Sequence, residues 1–307
     1  MRFAVTGASG FIGRELLDIL RQRNFEVAAL IRNPDAFKGD QHLQIIAGDL
    51  DDPVALKMLC EGADFVINLA GVTHPKRADD YEKINVRGAS NIAAAAKSAQ
   101  AVLIHISSLS ARQPSVSPYA MSKRQGEDAV ADTGGSWVSL RLPAIYGPRD
   151  SATLPFFKTV AAGWAPAPNT NPPAKATLLH VSDAAAAIVA AALEAPPGAI
   201  YEVGDDTKDG RSWREISDTL GRALGISPRH LPVPKSMISV YHAILAAFER
   251  ISGKGPSVRI GQVNEFFHPD WVARENLLSS TTAWRPAITL EAGFAQTIDW
   301  YRANGLL

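Results

Sequence analysis

A glycine-rich turn near the beginning of the chain constrains the fold more than any other stretch. The apolar residues 2–5 precede this turn and predict a strand, and residues 14–20 follow it with apolar side chains at helical spacing. Gly7 permits the tight turn, Gly10 permits close approach of a pyrophosphate, and Gly13 permits close packing of the helix. The free N–H groups at the beginning of that helix attract phosphate. Together these features favour dinucleotide binding, and the alternative is a purely structural turn.

The composition excludes several classes of protein. A length of 307 residues allows a large core and about two domains. The 31 basic and 31 acidic side chains balance, so we expect no nucleic-acid partner. Cys60 is the only cysteine, which excludes an intrachain disulfide and favours a reducing compartment. No two histidines have the spacing of metal ligands, and we assign no metal.

The first strand and the alanine-rich run 184–193 bear on localisation. The first strand begins at residue 2, which leaves no room for a signal peptide. The run 184–193 is too short to span a bilayer. We therefore predict a cytoplasmic protein.

Strands alternate with helical patterns through the first half of the chain. Apolar runs that predict strands lie at 25–31, 43–47, 64–69, 102–107 and 137–142. Such alternation predicts an α/β fold with a Rossmann-type doubly wound parallel sheet.

Two of the predicted helices carry local signals. The helix expected over 81–99 contains Asn85, a candidate for a buried polar group that ties neighbouring loops together. The helix expected over 212–224 is amphipathic, with Ser212 as its cap and Gly225 as its stop.

The composition changes after residue 160. Residues 163–175 are rich in Pro, Asn and Ala, and we expect a loop there, over the active site. Beyond it we expect a smaller C-terminal α/β lobe that binds the substrate. The predicted division assigns 1–160 and the returning segment 181–204 to an NAD(P)-binding domain, and 161–180 and 205–307 to the substrate-binding lobe.

The ends of the predicted strands carry candidates for cofactor contact. Arg32 follows the second strand, where an acidic side chain would bind a ribose 2′-hydroxyl and an arginine accommodates a 2′-phosphate. It favours NADP over NAD, although an ordinary surface arginine is the alternative. Asp49 follows the third strand and is a candidate acceptor for the adenine amino group, whereas the role of helix N-cap suits Asp52. The small residues 69–71 end the fourth strand and let a cofactor lie close to the backbone.

A tyrosine and a lysine four residues apart supply the chemistry. Ser117 and Pro118 predict the beginning of a helix that places Tyr119 and Lys123 on one face. An ammonium about 4 Å from a phenol is worth roughly 4 kcal/mol at an effective dielectric near 20, enough to lower a tyrosine pKa from about 10 to about 7. With Ser108 to hold the substrate oxygen, the set predicts hydride transfer with Tyr119 as the group that takes or gives the proton. The alternative is an exposed Tyr/Lys pair on a helix.

The glycine turn, the serine at a strand end and the Tyr/Lys helix follow one another along the chain. In this order they resemble the motifs of the extended short-chain dehydrogenases/reductases, which are also called the NAD-dependent epimerase/dehydratase family. Residues 6–13 are similar to the glycine motif of that family, and 68–71 to its cofactor-lining strand end. Residues 141–148 resemble the segment whose backbone meets the nicotinamide, and 180–183 and 201–204 resemble markers of the domain junction. The resemblance covers nearly the whole chain.

The resemblance implies that Ser108, Tyr119 and Lys123 form the catalytic triad of the family. The cofactor is then NADP, which Arg32 favours, or NAD. Contact with it is expected from Gly7, Ser9, Gly10, Phe11, Ile12, Gly13, Arg32, Asp49, Leu50, Leu69, Ala70, Gly71, Tyr119, Lys123, Pro143 and Ile145.

Departures from the family pattern narrow the reaction. Nucleotide-sugar members carry an arginine for the pyrophosphate where this chain has Ala176. Dehydratase members place Asp-Glu after the catalytic hydroxyl residue, whereas Leu109 and Ser110 stand there in this chain. The apolar helix predicted over 236–251 resembles the hydroxysteroid dehydrogenase and dihydroflavonol reductase branch.

We therefore favour an NAD(P)-dependent oxidoreductase that acts on a secondary alcohol or ketone of an apolar small molecule. A nucleotide-sugar epimerase with bound NAD is one alternative, and a non-catalytic NAD(P)-binding scaffold or sensor is another. The helix over 236–251 is expected to pack over the substrate pocket, and a membrane surface or a second copy in a homodimer is a less favoured partner for it.

Overall fold

The molecule is built around a parallel sheet of seven strands. The computed structural model describes residues 1–34, 43–75, 77, 79–205, 207–236 and 260–307. The first part of the chain forms β1 (Arg2–Thr6), α1 (Phe11–Gln22), β2 (Glu26–Ile31), β3 (Leu43–Ala47), α2 (Pro53–Cys60), β4 (Phe65–Asn68), a π-helical segment (Tyr81–Arg87), α3 (Gly88–Ser98), β5 (Val102–Ser108), α4 (Pro118–Asp132) and β6 (Trp137–Leu142). The later part forms β7 (Ala144–Tyr146), α5 (Leu154–Ala161), β8 (Trp164–Pro168), β9 (Lys175–Ala176), β10 (Leu178–His180), α6 (Val181–Glu194), β11 (Ala199–Glu202), β12 (Arg211–Ser212), α7 (Trp213–Leu224), β13 (Arg229–Val233), α8 (Ile260–Phe266), β14 (Asp270–Trp271), α9 (Leu278–Thr281) and α10 (Leu290–Ala303).

The strand order places a crevice beside β1. The order is β11-β6-β5-β4-β1-β2-β3, and all neighbours are parallel. From β1 the chain winds outward to β3 on one side, and it then returns to the other side of β1 with β4. Ligands of open α/β sheets bind at such a reversal, outside the carboxyl ends of the strands. The predicted α/β fold with a doubly wound Rossmann-type sheet is confirmed.

Helices cover both faces of the sheet and bury it. On one face Leu16 of α1 and Ile188 of α6 belong to the same apolar cluster. On the other face Leu59 of α2, Ile92 of α3 and Val130 of α4 form a second cluster. Strands covered on both faces are apolar along most of their length, which explains why apolar runs predicted them correctly.

A smaller group of elements in the later part of the chain has its own core. Tyr146, Phe157, Leu220, Phe294 and Tyr301 are buried together in this third cluster. Short strands pair around it, β10 with β7, β9 with β12 and β14, and β13 with β8. The division into domains at 160, 181 and 204 stays a prediction, although β11 does return to the large sheet beside β6.

The expectation of a loop over 163–175 is wrong for its first part. Residues 164–168 form β8, which pairs in parallel with β13 in the register Leu231↔Pro166 and Val233↔Pro168. Proline lacks the N–H that a central strand needs, but a ribbon of two strands has only edges, where proline is tolerated. The pairing partner lies more than sixty residues further along the chain, so no local signal in the sequence indicates the strand.

Helix boundaries agree with the local signals, with one change. Ser212 caps α7 in a reciprocal capping box with Glu215, and Gly225 ends it in the left-handed conformation with φ +76°, as predicted. The single helix expected over 81–99 begins instead with the π-helical segment Tyr81–Arg87. The helix expected over 236–251 lies, except for its first residue, outside the described residues. None of the helices in the described part of the chain has both the length and the apolar character needed to span a bilayer.

A buried ion pair holds α4 against the sheet. Glu127 accepts hydrogen bonds from Arg141 Nε at 2.9 Å and Nη2 at 2.7 Å, and from the Ser107 hydroxyl at 2.6 Å. All three side chains are at least nine-tenths buried. The helix α4 also lies close to the π-helical segment Tyr81–Arg87. A Cβ on Gly126 would lie only 2.4 Å from the carbonyl oxygen of Asn85.

Removal of the Glu127 charge tests this attachment. We expect Glu127→Gln to reduce the free energy of unfolding by about 3 kcal/mol, since it removes the carboxylate that pairs with the buried Arg141 guanidinium. The control is Asp128→Asn, which removes the exposed Arg124–Asp128 pair (3.1 Å) on the same helix and costs less than about 1 kcal/mol. Urea-induced unfolding measures both variants, and equal losses would contradict the role of the buried pair.

Candidate active site

The glycine turn follows β1 and packs against the carboxyl end of β4. Gly7 has φ +71°, and a Cβ there would lie 2.6 Å from the backbone nitrogen of Ala70 and 2.7 Å from the carbonyl carbon of Leu69. A Cβ on Gly13 would lie 2.3 Å from the Gly7 carbonyl oxygen. Both contacts are too short for any side chain, so the turn closes tightly against β4 and α1 begins directly on it.

The beginning of α1 offers its N–H groups to an anion. Gly10 is the N-cap and supplies no side-chain hydrogen bond to the first turn. Ser9 and Gly10 are exposed, and Phe11 and Ile12 are partly buried. An uncapped helix beginning at the crevice of a doubly wound sheet fits the pyrophosphate of a dinucleotide.

The residues after β2 and β3 lie at the same edge of the sheet as the glycine turn. Arg32 directly follows β2 and is exposed. Asp49 already accepts a hydrogen bond from the backbone N–H of Asp51 at 2.9 Å. Asp52 caps α2 with two hydrogen bonds of 3.0 Å, which confirms the predicted N-cap. Leu50 is buried in the second apolar cluster, so its side chain is directed into the core.

Buried polar side chains join the ends of β1 and β4 to the middle of β5. The Thr6 hydroxyl donates to Asn68 Oδ1 at 2.6 Å, and Asn68 Nδ2 lies 3.2 Å from His105 Nδ1. Burial lowers the pKa of His105 well below its usual value, and the nearby Lys123 adds to this effect. His105 is therefore neutral at physiological pH, and its Nδ1 accepts from the Asn68 amide. Neither His105 nor Thr6 was predicted as a site residue. Thr6 ends β1 next to the glycine turn, which was a signal, whereas His105 lies in the middle of β5.

The loop after β4 is fixed by Asn85. Its side chain accepts from the Val72 N–H at 2.8 Å and donates to the Val72 carbonyl at 3.0 Å and to the Ser122 hydroxyl at 2.9 Å. The prediction that Asn85 ties neighbouring loops together is confirmed. Gly71 faces α4, since a Cβ there would lie 3.8 Å from Lys123 Nζ.

The beginning of α4 brings the candidate triad together. Ser117 caps the helix through the N–H of Ala120 at 2.9 Å. The Lys123 ammonium is buried and donates to the carbonyl of Ile106 at 2.6 Å. Burial raises the pKa of the Tyr119 phenol, and the nearby Ser108 hydroxyl offsets part of that rise.

Ser110 positions Ser108. From the sequence, Ser110 was noted only as a departure from the dehydratase pattern. The Ser108 Oγ accepts from the backbone N–H of Ser110 at 3.2 Å and from its hydroxyl at 2.9 Å. Because both of these bonds use Ser108 as acceptor, its own proton is free to be donated. The candidates for that proton are the Tyr119 phenol and a substrate oxygen.

The pKa values differ from the sequence-based expectation. Burial raises the pKa of Tyr119 to about 12, with further contributions from Glu265 and Tyr81, and it lowers the pKa of Lys123 to about 8. The expected fall of the Tyr119 pKa towards 7 is wrong for the chain by itself. The reason is that loss of solvent around the phenol raises its pKa by more than the Ser108 hydroxyl lowers it. The Lys123 ammonium is directed at the Ile106 carbonyl.

Two further candidates come from the segment after β6. Pro143 separates β6 from β7, and Ile145 lies in β7, paired with Leu179 of β10. Both are partly buried. They therefore lie beyond the carboxyl end of β6, on the side of the sheet where Ser108 ends β5.

The arrangement suits proton transfer next to a bound dinucleotide. The glycine turn and the uncapped helix provide a phosphate site, and Ser108, Tyr119 and Lys123 lie at the end of β5, two strands from β1 in the sheet order. A phenol and a hydroxyl near the end of one strand are donors of the kind that hold a carbonyl or carbinol oxygen.

Comparison with known proteins agrees with this assignment. A model of the NAD dependent epimerase/dehydratase family matches residues 3–204. A ceramide reductase from Caulobacter vibrioides (strain NA1000 / CB15N) is 35% identical over 306 residues, which cover 99% of this chain and 95% of that protein.

Solved structures share the fold. The crystal structure of gox2253 has a TM-score of 0.78 and 19% identity, and the match covers 100% of this chain and 99% of that one. UDP-glucose 4-epimerase from Thermus thermophilus, in complex with NAD, has a TM-score of 0.70 and 21% identity over 98% and 99% of the two chains. The chain therefore belongs to the NAD-dependent epimerase/dehydratase family and is an NAD(P)-dependent enzyme of the oxidoreductase/epimerase class.

Proposed function

We propose that this enzyme is an NADPH-dependent reductase of a ketone in a lipid of the ceramide class. The observation that carries the proposal is the buried ammonium of Lys123, held by the Ile106 carbonyl at 2.6 Å, one helical turn from Tyr119 on α4. The ceramide reductase relative, which matches almost the whole chain, supports the choice of substrate. Reduction then converts the ketone to the secondary alcohol that ceramides carry.

The protonation states favour the reductive direction. With a pKa of about 12, Tyr119 holds its proton at neutral pH and is ready to donate it to a carbonyl oxygen. Ser108 donates a second hydrogen bond to the same oxygen, since its other bonds are accepted ones. When bound, the reduced nicotinamide supplies the hydride to the carbonyl carbon. One hydride and one proton together give the alcohol.

Lys123 stabilises the state that follows proton transfer. The phenolate left on Tyr119 is negatively charged and lies one helical turn from the ammonium. With a pKa of about 8 the lysine exchanges protons near neutral pH, which suits a group that restores the phenol. Its bond to the Ile106 carbonyl keeps the ammonium in place during this exchange.

The cofactor site is proposed on residues 1–160 and 181–204. The glycine turn with Ser9, Phe11 and Ile12 would hold the pyrophosphate, and Arg32 would hold a 2′-phosphate, which makes NADPH the preferred cofactor. The remaining proposed contacts are Asp49, Leu50, Leu69, Ala70, Gly71, Pro143 and Ile145, from the ends of β3, β4 and β6.

The substrate side is proposed on 161–180 and 205–307, and it suits an apolar molecule. Trp213 and Phe266 of this lobe contact each other with ring centroids 5.0 Å apart, and Phe156 from the neighbouring part of the chain contacts Trp213 at 5.9 Å. All three rings are partly exposed. Aromatic surface of this kind favours a long-chain lipid over a sugar.

A nucleotide sugar suits the lobe less well. Ala176 is buried in β9, where the nucleotide-sugar members of the family carry an arginine. Arg211, its neighbour in β12, is held by the carboxylate of Asp205 and is not free for a pyrophosphate. This favours the reductase over the epimerase.

Substitution of the tyrosine tests the proposed reaction. Wild-type enzyme with NADPH should reduce a ketone analogue of ceramide, followed as the loss of NADPH absorbance. We expect Tyr119→Phe to lower kcat by about 10²–10⁴-fold, the usual contribution of a positioned acid. Tyr81→Phe is the matched control, because its ring lies 6.3 Å from that of Tyr119 while its hydroxyl donates to the Thr73 carbonyl at 2.8 Å. A Tyr119→Phe variant with wild-type turnover would refute the proton-transfer role.

Substitution of Arg32 tests the cofactor preference. A lost hydrogen bond to a charged group is worth about 1.5–3 kcal/mol, so Arg32→Ala should reduce the ratio of kcat/KM for NADPH over NADH by about 10–100-fold. Arg302→Ala, at an exposed position of α10, is the control and should leave the ratio unchanged. If Arg32→Ala also leaves it unchanged, the 2′-phosphate assignment is wrong.

The pH dependence of ketone reduction follows from Lys123. The pKa of about 8 means that the ammonium is present below pH 8 and is lost as the pH rises. We expect kcat/KM to be level between about pH 6 and 8, because Tyr119 stays protonated, and to fall about tenfold per pH unit above the lysine pKa. In Lys123→Arg the fall should move to higher pH. A profile of the same shape in both proteins would contradict the assignment.

A further inference from the structure

A carboxylate from the later part of the chain reaches the beginning of the catalytic helix. The Ser117 hydroxyl, while it accepts from the Ala120 N–H, donates its proton to Oε1 of Glu265 in α8. Ser117 is buried and lies two residues before Tyr119. The single proton of this hydroxyl is committed to Glu265, so the hydroxyl cannot donate to a substrate.

The helix that carries Glu265 is fixed in this position by three further contacts. Asn264 Nδ2 donates to the Val116 carbonyl at 3.2 Å, and Trp271 Nε1 donates to the Glu265 carbonyl at 2.7 Å. A Cβ on Gly261 would lie 3.1 Å from the side chains of Ser117 and Pro118. The backbone that carries the carboxylate is therefore attached at several points beside the beginning of α4.

The Glu265 carboxyl is electrostatically coupled to the proton donor. Burial raises its own pKa, and its charge contributes to the raised pKa of Tyr119. No donor within the described ranges reaches the second oxygen, Oε2. Glu265 is only partly buried, so this second oxygen is an acceptor that is open to a donor from a bound molecule.

We infer that Glu265 determines substrate specificity by accepting a hydrogen bond from an N–H or O–H group attached next to the reacting carbonyl. The inference rests on the proposed function. In a ketone of the ceramide class, the carbon beside the carbonyl carries an amide N–H and a hydroxymethyl group, and both are donors. Tyr119 and Ser108 then hold the carbonyl oxygen, while Glu265 selects ketones that carry such a donor.

The experiment compares two ketones in wild-type and variant enzyme. One ketone carries the N-acyl and hydroxymethyl groups, and the other is a plain long-chain ketone of equal length. The quantity measured is the ratio of their kcat/KM values with NADPH. We expect Glu265→Gln, which keeps an acceptor for Ser117 but presents an N–H to the substrate, to lower this ratio by at least about tenfold, mainly through KM of the donor-bearing ketone.

Asn264→Ala is the control for a merely structural role, because it loosens the same helix without changing the carboxylate. This variant should lower kcat/KM for both ketones by the same factor and leave the ratio of the two values unchanged. Glu265→Asp, which keeps the charge on a shorter side chain, should recover part of the ratio.

A parallel fall for both ketones in Glu265→Gln, or no fall at all, would overturn the inference while leaving the reductase in place. Wild-type enzyme that reduces neither ketone would overturn the proposed function, and the inference with it. The two failures are therefore distinguishable in one set of assays.

Discussion

The attachment of α4 to β5 decides where the rest of the site lies. Tyr119, Lys123 and Glu127 are spaced by four residues and lie on three successive turns of the helix. They interact in turn with the Ser108 hydroxyl, with the Ile106 carbonyl at 2.6 Å and with the Ser107 hydroxyl at 2.6 Å. Glu127, which pairs with Arg141, thus lies in the same row of side chains as Tyr119 and Lys123. The carboxyl end of β5 and the helix α4 therefore act as a single unit.

This unit explains why the local sequence predicted so much of the site. Strands 43–47 and 137–142 have the predicted bounds, and the glycine turn and the Ser117 cap each arise within a few residues of their motif. The Asn85 clamp, in contrast, joins partners 13 and 37 residues away. Propensities and caps are local properties, and they survive into the fold when the whole element is buried or begins at a cap. The order of the motifs along the chain then indicated which ends meet.

What the sequence did not predict depends on distant partners. β8 exists because 229–233 lies beside it, and Glu265 reaches Ser117 across 148 residues. The pKa of Tyr119 is raised to about 12 because of how densely the surroundings pack, whereas spacing alone accounts only for the neighbouring lysine. Burial and long-range pairing are properties of the assembled fold, and no window of the sequence contains them.

The π-helical segment Tyr81–Arg87 has a consequence for how chains of this kind compare. A π-turn holds more residues than an α-turn, so this stretch contains extra chain within an otherwise regular helix. The wide turn places Asn85 where its side chain bonds both Val72 and Ser122. Deletion of one residue there would rotate the side chains on either side relative to each other and break the clamp. In an alignment the feature would be visible as a gap of one residue, so here the length of a segment carries structural information that its residue types do not.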